Sequence, residues 1–150
     1  TACAGALGSL TPAHQATPAV MDETIQVNFL ANQRLIRALH PLLRESDAGR
    51  AVFLTSGVSK NPRAYWAPYA ASKAALDALV IAYAAEIGNV TPMRANLFNP
   101  GPTRTAMRAK AFPGEDPMTL PAPEEIAPQI VAMLQPGYND NGAWIEFQRR

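Results

Sequence analysis

Apolar residues at positions 25, 29, 36, 39 and 43 (Ile25, Phe29, Ile36, Leu39, Leu43) recur at three- to four-residue steps, which predicts one amphipathic helix over residues 21–46. Pro41 is expected to kink it or to start a new turn after His40. Residues 11–19, with Pro12 and Pro18, read as a loop, and Asp47-Ala48-Gly49 ends the helix. The run 51–55 is a short buried strand, and 57–68 an irregular, basic and aromatic loop. An Ala-rich helix follows over 69–87, closed by Gly88, then a strand over 93–98. A short helix over 103–111, a Pro- and Gly-rich loop over 113–123, a helix over 124–134 and a last strand over 142–147 complete the pattern. Residues 1–8 read as the end of a strand running into a Gly turn. Helices alternating with short apolar strands imply an α/β fold, a parallel sheet with crossover helices.

Composition narrows the function classes. The 150 residues suffice for one domain with a real core, and 48% hydrophobic with 17% charged residues describes an ordinary soluble globular chain. A formal net charge of +1, with scattered arginines, gives no reason to expect nucleic acid or an anionic membrane as partner. The single cysteine, Cys3, excludes an internal disulfide and agrees with a cytoplasmic location. His14 and His40 stand in no metal-ligand spacing, so no metal is expected. The longest apolar stretch, 74–87, is interrupted by Asp77 and Glu86 and is too short to span a bilayer. No basic-then-apolar signal segment opens the chain.

The chemistry lies in three residues. Tyr69 and Lys73 are four apart, hence on one helix face, and Ser56 stands thirteen residues before Tyr69 at the end of a strand-like run. An ammonium beside a phenol favours the phenolate, which would bring a group with an ordinary pKa of about 10 nearer neutrality. With the Ser56 hydroxyl beside it, the phenol forms a proton-transfer site for a carbonyl or alcohol. Alone, the pair also fits a helix with Tyr69 half-buried and Lys73 solvated.

Asn28, Ser56, Tyr69-x-x-x-Lys73, then Pro100-Gly101 with Thr103 close behind, together resemble the short-chain dehydrogenase/reductase family up to about Thr105. The resemblance implies an NAD(P)-dependent oxidoreductase acting on a small alcohol or ketone, with NAD or NADP as cofactor. It implies that Tyr69 gives or takes the proton and that Lys73 lowers the tyrosine's pKa and meets the nicotinamide ribose. Ser56 would polarise the substrate oxygen, and Asn28 would hold a water in a relay to the lysine. Pro100, Gly101 and Thr103 would border the nicotinamide. Cys3-Ala4-Gly5 aligns with the family's Asn-Ala-Gly, where Cys for Asn is a departure, and Gly5 either lies against the cofactor or is a plain turn glycine. Tyr65, Trp66, Met107 and Phe112 line a substrate pocket or pack the core.

The family's Gly-rich phosphate-binding turn has no counterpart in these residues. Against the family, about three strand–helix units are absent, on the order of 90 residues. Residues 1–150 are therefore expected to be the C-terminal catalytic portion of a single Rossmann-type, doubly wound parallel sheet, its last strands and helices, binding NAD(P)H weakly or not at all in isolation. A second reading is a catalytically silent protein that acts as an interaction module, its unpaired sheet edge open to another chain. In either case the two long helices are expected to mediate a homo-oligomer. The choice of NAD over NADP and the substrate lie outside what the residues decide.

Overall fold

The structure is a computed structural model and describes residues 1–148. Helix α1 (Pro18–Ile25) starts at Thr17, whose hydroxyl accepts from the Val20 N–H at 3.4 Å, with Pro18 at the first helical position. A missing N–H costs nothing there, so Pro18 opens the helix where the sequence suggested a continuing loop. The chain then passes through a π-helical turn (Gln26–Leu30) into α2 (Ala31–Glu45). Pro41 lies within α2 without ending it. The proline is exposed, so the carbonyl it leaves unpaired one turn earlier faces solvent and not the core.

Strand β1 (Arg50–Leu54), helix α3 (Ala67–Gly88) and strand β2 (Arg94–Asn99) follow. Next come α4 (Ala106–Ala111), α5 (Pro123–Met133) and strand β3 (Trp144–Glu146). The turn into β1 requires Gly49, because a Cβ there would stand 2.3 Å from the Leu43 carbonyl oxygen. The three strands pair in parallel in the order β1-β2-β3, with Ala51 opposite Ala95 and Leu97 opposite Trp144. The N-terminal segment continues the sheet beyond β1: Ala2 donates to Val52 O at 2.9 Å and accepts from Leu54 N at 3.1 Å.

Alternation along the strands sends residues to two faces. Phe53, Ala95 and Leu97 meet Leu76, Val80, Tyr83, Ala84 and Ile87 of α3, with Ile36 and Leu43 of α2 behind. Val52 and Phe98 point the other way, onto Ile126 and Met133 of α5. Helices on both faces of a parallel sheet make this the α/β, doubly wound Rossmann-type arrangement, with three strands and one bridge among the described residues. Each fully buried Leu, Val or Phe contributes roughly 1.5–3 kcal/mol. These two layers therefore hold the strand ends at which the polar residues gather.

Candidate active site

Helix α3 presents one face to the sheet, and that face begins with Tyr69, Ser72 and Lys73 and continues through Leu76, Asp77 and Val80. Tyr69 is 8% and Lys73 3% exposed, so the pair is drawn into the interior by the stripe that builds the core. The Lys73 ammonium donates to the Leu54 carbonyl at 2.8 Å, at the end of β1, and lies 5.9 Å from the centre of the Tyr69 ring. Ser56, extended and two residues past β1, shares a side-chain hydrogen bond with the Tyr69 hydroxyl. Beyond β2, Gly101 takes a φ of +66° that favours glycine, and its N–H donates to Asn99 Oδ1 at 3.1 Å. Thr103 closes the turn by donating to the Gly101 carbonyl at 3.1 Å.

These elements surround a cavity of about 640 Å³ at the C-terminal ends of the strands. Gly5, Ser56, Tyr69, Lys73, Pro100, Gly101 and Thr103, seven of the eight residues singled out from the sequence, line it. A Cβ on Gly5 would stand 3.9 Å from Lys73 Nζ and 3.6 Å from Asn28 Oδ1, so the glycine keeps the space before the lysine clear. Trp66 and Met107 also line the cavity, while Phe112 lies behind, its ring 5.7 Å from that of Trp66. Tyr65 is exposed, at a φ of 71°.

Asn28 is the exception. It is completely buried, inside the π-turn, and does not reach the cavity. Its Oδ1 accepts from Ala6 N at 2.7 Å, and its Nδ2 donates to Ala6 O at 2.8 Å and to Ser72 Oγ at 2.9 Å. Both amide hydrogens are thereby engaged, and the backbone carbonyl accepts from Asn32 Nδ2 at 2.9 Å. The side chain fastens the N-terminal segment, with Gly5 on it, to α3.

The electrostatics differ from the sequence expectation in one respect. Burial raises the Tyr69 pKa above its ordinary value and outweighs the lowering by the Ser56 hydrogen bond. Lys73 does not bring the phenol toward neutrality here, because desolvation of a buried phenolate is the larger effect. Burial lowers Lys73 itself to about 8, opposed by the negative charge of Asp77 and by Cys3. Near neutral pH the site thus holds a neutral phenol over a protonated amine, an arrangement suited to giving a proton to a carbonyl oxygen.

Sequence reasoning passed over Asp77, noted there only as a charge interrupting an apolar run. It is 8% exposed and accepts from Thr55 Oγ1, from Ser59 Oγ at 2.5 Å and from Trp144 Nε1 at 3.0 Å. Its distance of four residues from Lys73 was the available signal. The Arg108–Glu115 pair at the cavity wall, bonded at 2.6 Å with Arg108 over the Phe112 ring, was likewise unforeseen. Among the described residues, no three His, Cys, Asp or Glu side chains cluster as a metal site, and no helix is long and apolar enough to cross a membrane.

Comparison with known proteins gives the family and the fold. A short chain dehydrogenase family model matches residues 1–116. The uncharacterized oxidoreductase YciK of Escherichia coli K12 is 46% identical over 131 residues, covering 87% of this chain and 51% of YciK. A short chain dehydrogenase of Salmonella enterica serovar Typhi superposes with a TM-score of 0.92 at 39% identity, over 97% of this chain and 60% of that one. A chain assigned as a short chain dehydrogenase from Escherichia coli CFT073, complexed with NADPH, gives 0.91 at 40% identity, over 98% and 61%. The chain therefore spans between half and two thirds of the length of these relatives.

Proposed function

The chain belongs to the short-chain dehydrogenase family, and from that premise we propose that it is the catalytic portion of an NAD(P)-dependent oxidoreductase in which Tyr69 is the proton donor and acceptor. The observation that carries the proposal is the placement of Ser56, Tyr69 and Lys73 on the lining of one cavity that the Pro100–Thr103 turn also borders. The NADPH held by the similar Escherichia coli structure favours NADP among the two cofactors. The residues present fit the nicotinamide end: Gly5 leaves open the space before Lys73, and a Cβ at Gly101 would meet nothing within 4 Å. The cofactor, when bound, supplies the hydride. Tyr69 gives its proton to the carbonyl oxygen of an alcohol/ketone substrate, Ser56 holds that oxygen, and the Lys73 charge steadies the phenolate left behind. Pro100, Gly101 and Thr103 would border the nicotinamide, and Lys73 its ribose. The test is NADPH consumption by the whole protein purified from its native source, with a panel of small ketones and aldehydes. No turnover with any carbonyl, despite measured NADPH binding, would turn the reading toward a catalytically silent protein.

The direction of reaction should separate with pH. Reduction uses the phenol, which stays protonated because its pKa is raised, together with the Lys73 ammonium, which is charged below about 8. Its rate is expected to hold level up to that pH and fall above it as the amine discharges. Alcohol oxidation uses the phenolate and should instead gain as pH rises toward the tyrosine's pKa. Initial rates in both directions between pH 6 and 10 check this, and parallel profiles would contradict it.

Two features of the whole protein complete the proposal. The share of its relatives that the chain spans supports residues 1–150 as part of one larger Rossmann domain. Leu35, Leu39 and Leu42 of α2, exposed at successive turns, and Ile81 of α3 support a homo-oligomer through these helices. Mass spectrometry of the protein from its native source reads both, as an intact mass above 16.1 kDa and a native mass that is a multiple of it. A native monomer of 16.1 kDa would refute both.

A further inference from the structure

We propose that Asp77 is a positioning residue for the acid–base site: its carboxylate fastens the segment carrying Ser56 to helix α3 and supplies the counter-charge one turn below the Lys73 ammonium. The inference rests on the reading of Tyr69 and Lys73 as the acid–base pair and adds a group that does not touch the cavity.

Three elements converge on this carboxylate. Thr55, at the end of β1, donates to Oδ1; Ser59, in the turn after Ser56, donates to Oδ2 at 2.5 Å; and Trp144 of β3 donates to Oδ2 at 3.0 Å. Thr55 and Ser59 bracket Ser56 in the chain, and the Ser59 N–H closes a turn onto the Ser56 carbonyl at 3.0 Å. Ser56 is therefore held from both sides through one acceptor on the helix that carries Tyr69. A carboxylate is the group that suits the place, since it accepts at both oxygens and donates nothing. An asparagine would turn an NH₂ group toward one of the three donors.

The charge has a second effect. Asp77 follows Lys73 by one helical turn on the same face, and its attraction works against the burial that lowers the lysine. Among the described residues the other ionisable neighbours are few. On α3 there is Tyr69, and Cys3 acts on Lys73 from the N-terminal segment. From the segment after Ser56, Lys60 lies 3.6 Å from the centre of the Trp144 ring. From β3, Glu146 is engaged with Asn99 Nδ2 at 3.0 Å. Asp77 is thus the carboxylate that opposes the discharge of Lys73.

The test reads Lys73 directly, without turnover. The protein is labelled with [¹³C]lysine, the Lys73 signal is identified by its loss in Lys73→Arg, and its titration is followed in the parent, Asp77→Asn and Asp77→Glu. Asp77→Asn is expected to lower the Lys73 midpoint by about one pH unit, and Asp77→Glu, which keeps the charge, to restore most of it. The alkaline limb of carbonyl reduction should move with the midpoint. An unmoved midpoint in a folded Asp77→Asn protein would overturn the electrostatic half of the proposal. Ser59→Ala, which spares the carboxylate, tests the fastening half even if Asp77→Asn fails to fold. It should lower kcat several-fold with the Lys73 midpoint unchanged, and an unchanged kcat would overturn that half. Because the titration needs no catalysis, a failure of the Tyr69 assignment, seen as full activity in Tyr69→Phe, remains distinguishable from a failure here.

Discussion

Replacing Tyr69 by phenylalanine is expected to lower kcat for carbonyl reduction by about a thousandfold, within the range of about 10²–10⁴ that a positioned acid or base contributes. The substitution removes one oxygen and little else. The ring stays packed against Trp66, whose centroid is 5.9 Å away, and the buried neighbours Leu7, Val58 and Ala70 keep their contacts. The hydroxyl's side-chain hydrogen bond is with Ser56, which lines the open cavity and can turn to solvent. Folding is therefore expected to be unaffected, and NADPH binding, measured by its fluorescence change, to stay within a factor of about three, equivalent to less than about 1 kcal/mol. Comparable loss of binding and turnover would show that the tyrosine is structural. A retained kcat would mean that the proton comes from elsewhere, and Lys73, about 8 and buried beside the cavity, would be the next group to test.

Why the sequence points to Tyr69 directly, and to Asp77 only through its spacing from Lys73, has a physical cause. Side chains that touch a reacting molecule are restricted in type and spacing, and under the proposed function that is why Ser56, Tyr69, Lys73 and the Pro100–Gly101 turn can be picked out along the chain. The structure gathers them in one cavity. The strands were legible because buried runs such as 51–55 are short and bounded by turn residues, and β1 (Arg50–Leu54) differs by one residue at each end. Groups that act through tertiary contact leave at most a spacing, as Asp77 does four residues after Lys73. Asp77 becomes meaningful only when β1, the turn after Ser56 and β3 converge on it. The same holds for Tyr69's pKa: spacing revealed the nearby ammonium but not the depth of burial that outweighs it.

Helix boundaries failed for a related reason. Thr17-Pro18 carries a helix-start signal, yet the prolines at 12 and 18 were read together as a loop. Pro41, expected to kink the helix or start a new turn, lies inside α2, which continues because that turn faces solvent. Local rules state what a residue prefers, and exposure decides whether the preference is enforced. The π-turn at Gln26–Leu30 was beyond any local rule. It widens the helix by one residue where Asn28 makes contact with Ala6 and Ser72, and Asn32 takes the carbonyl of Asn28.

That arrangement makes Asn28→Leu the substitution with the largest expected loss of stability, about 4 kcal/mol. Leucine is close in size but leaves both the N–H and the carbonyl of Ala6 without their partner, in a position where the replaced side chain was fully buried. Ala6 is half-buried, and each of its two orphaned groups costs up to roughly 1–3 kcal/mol. Ser72 loses an incoming donor but keeps its own bond to the Tyr69 carbonyl at 2.8 Å, so it adds little. Against a typical total of about 5–15 kcal/mol, the change is large enough to read as a fall of roughly 1.5–4 M in the urea midpoint. The measurement also decides what Asn28 does. If its chief role were to hold a water for proton transfer, Asn28→Leu would lower kcat while the urea midpoint stayed where it was. The bonds to Ala6 and Ser72 predict the opposite order of effects: stability falls first, and activity follows because Gly5 and the cavity wall it belongs to are no longer fixed against Lys73.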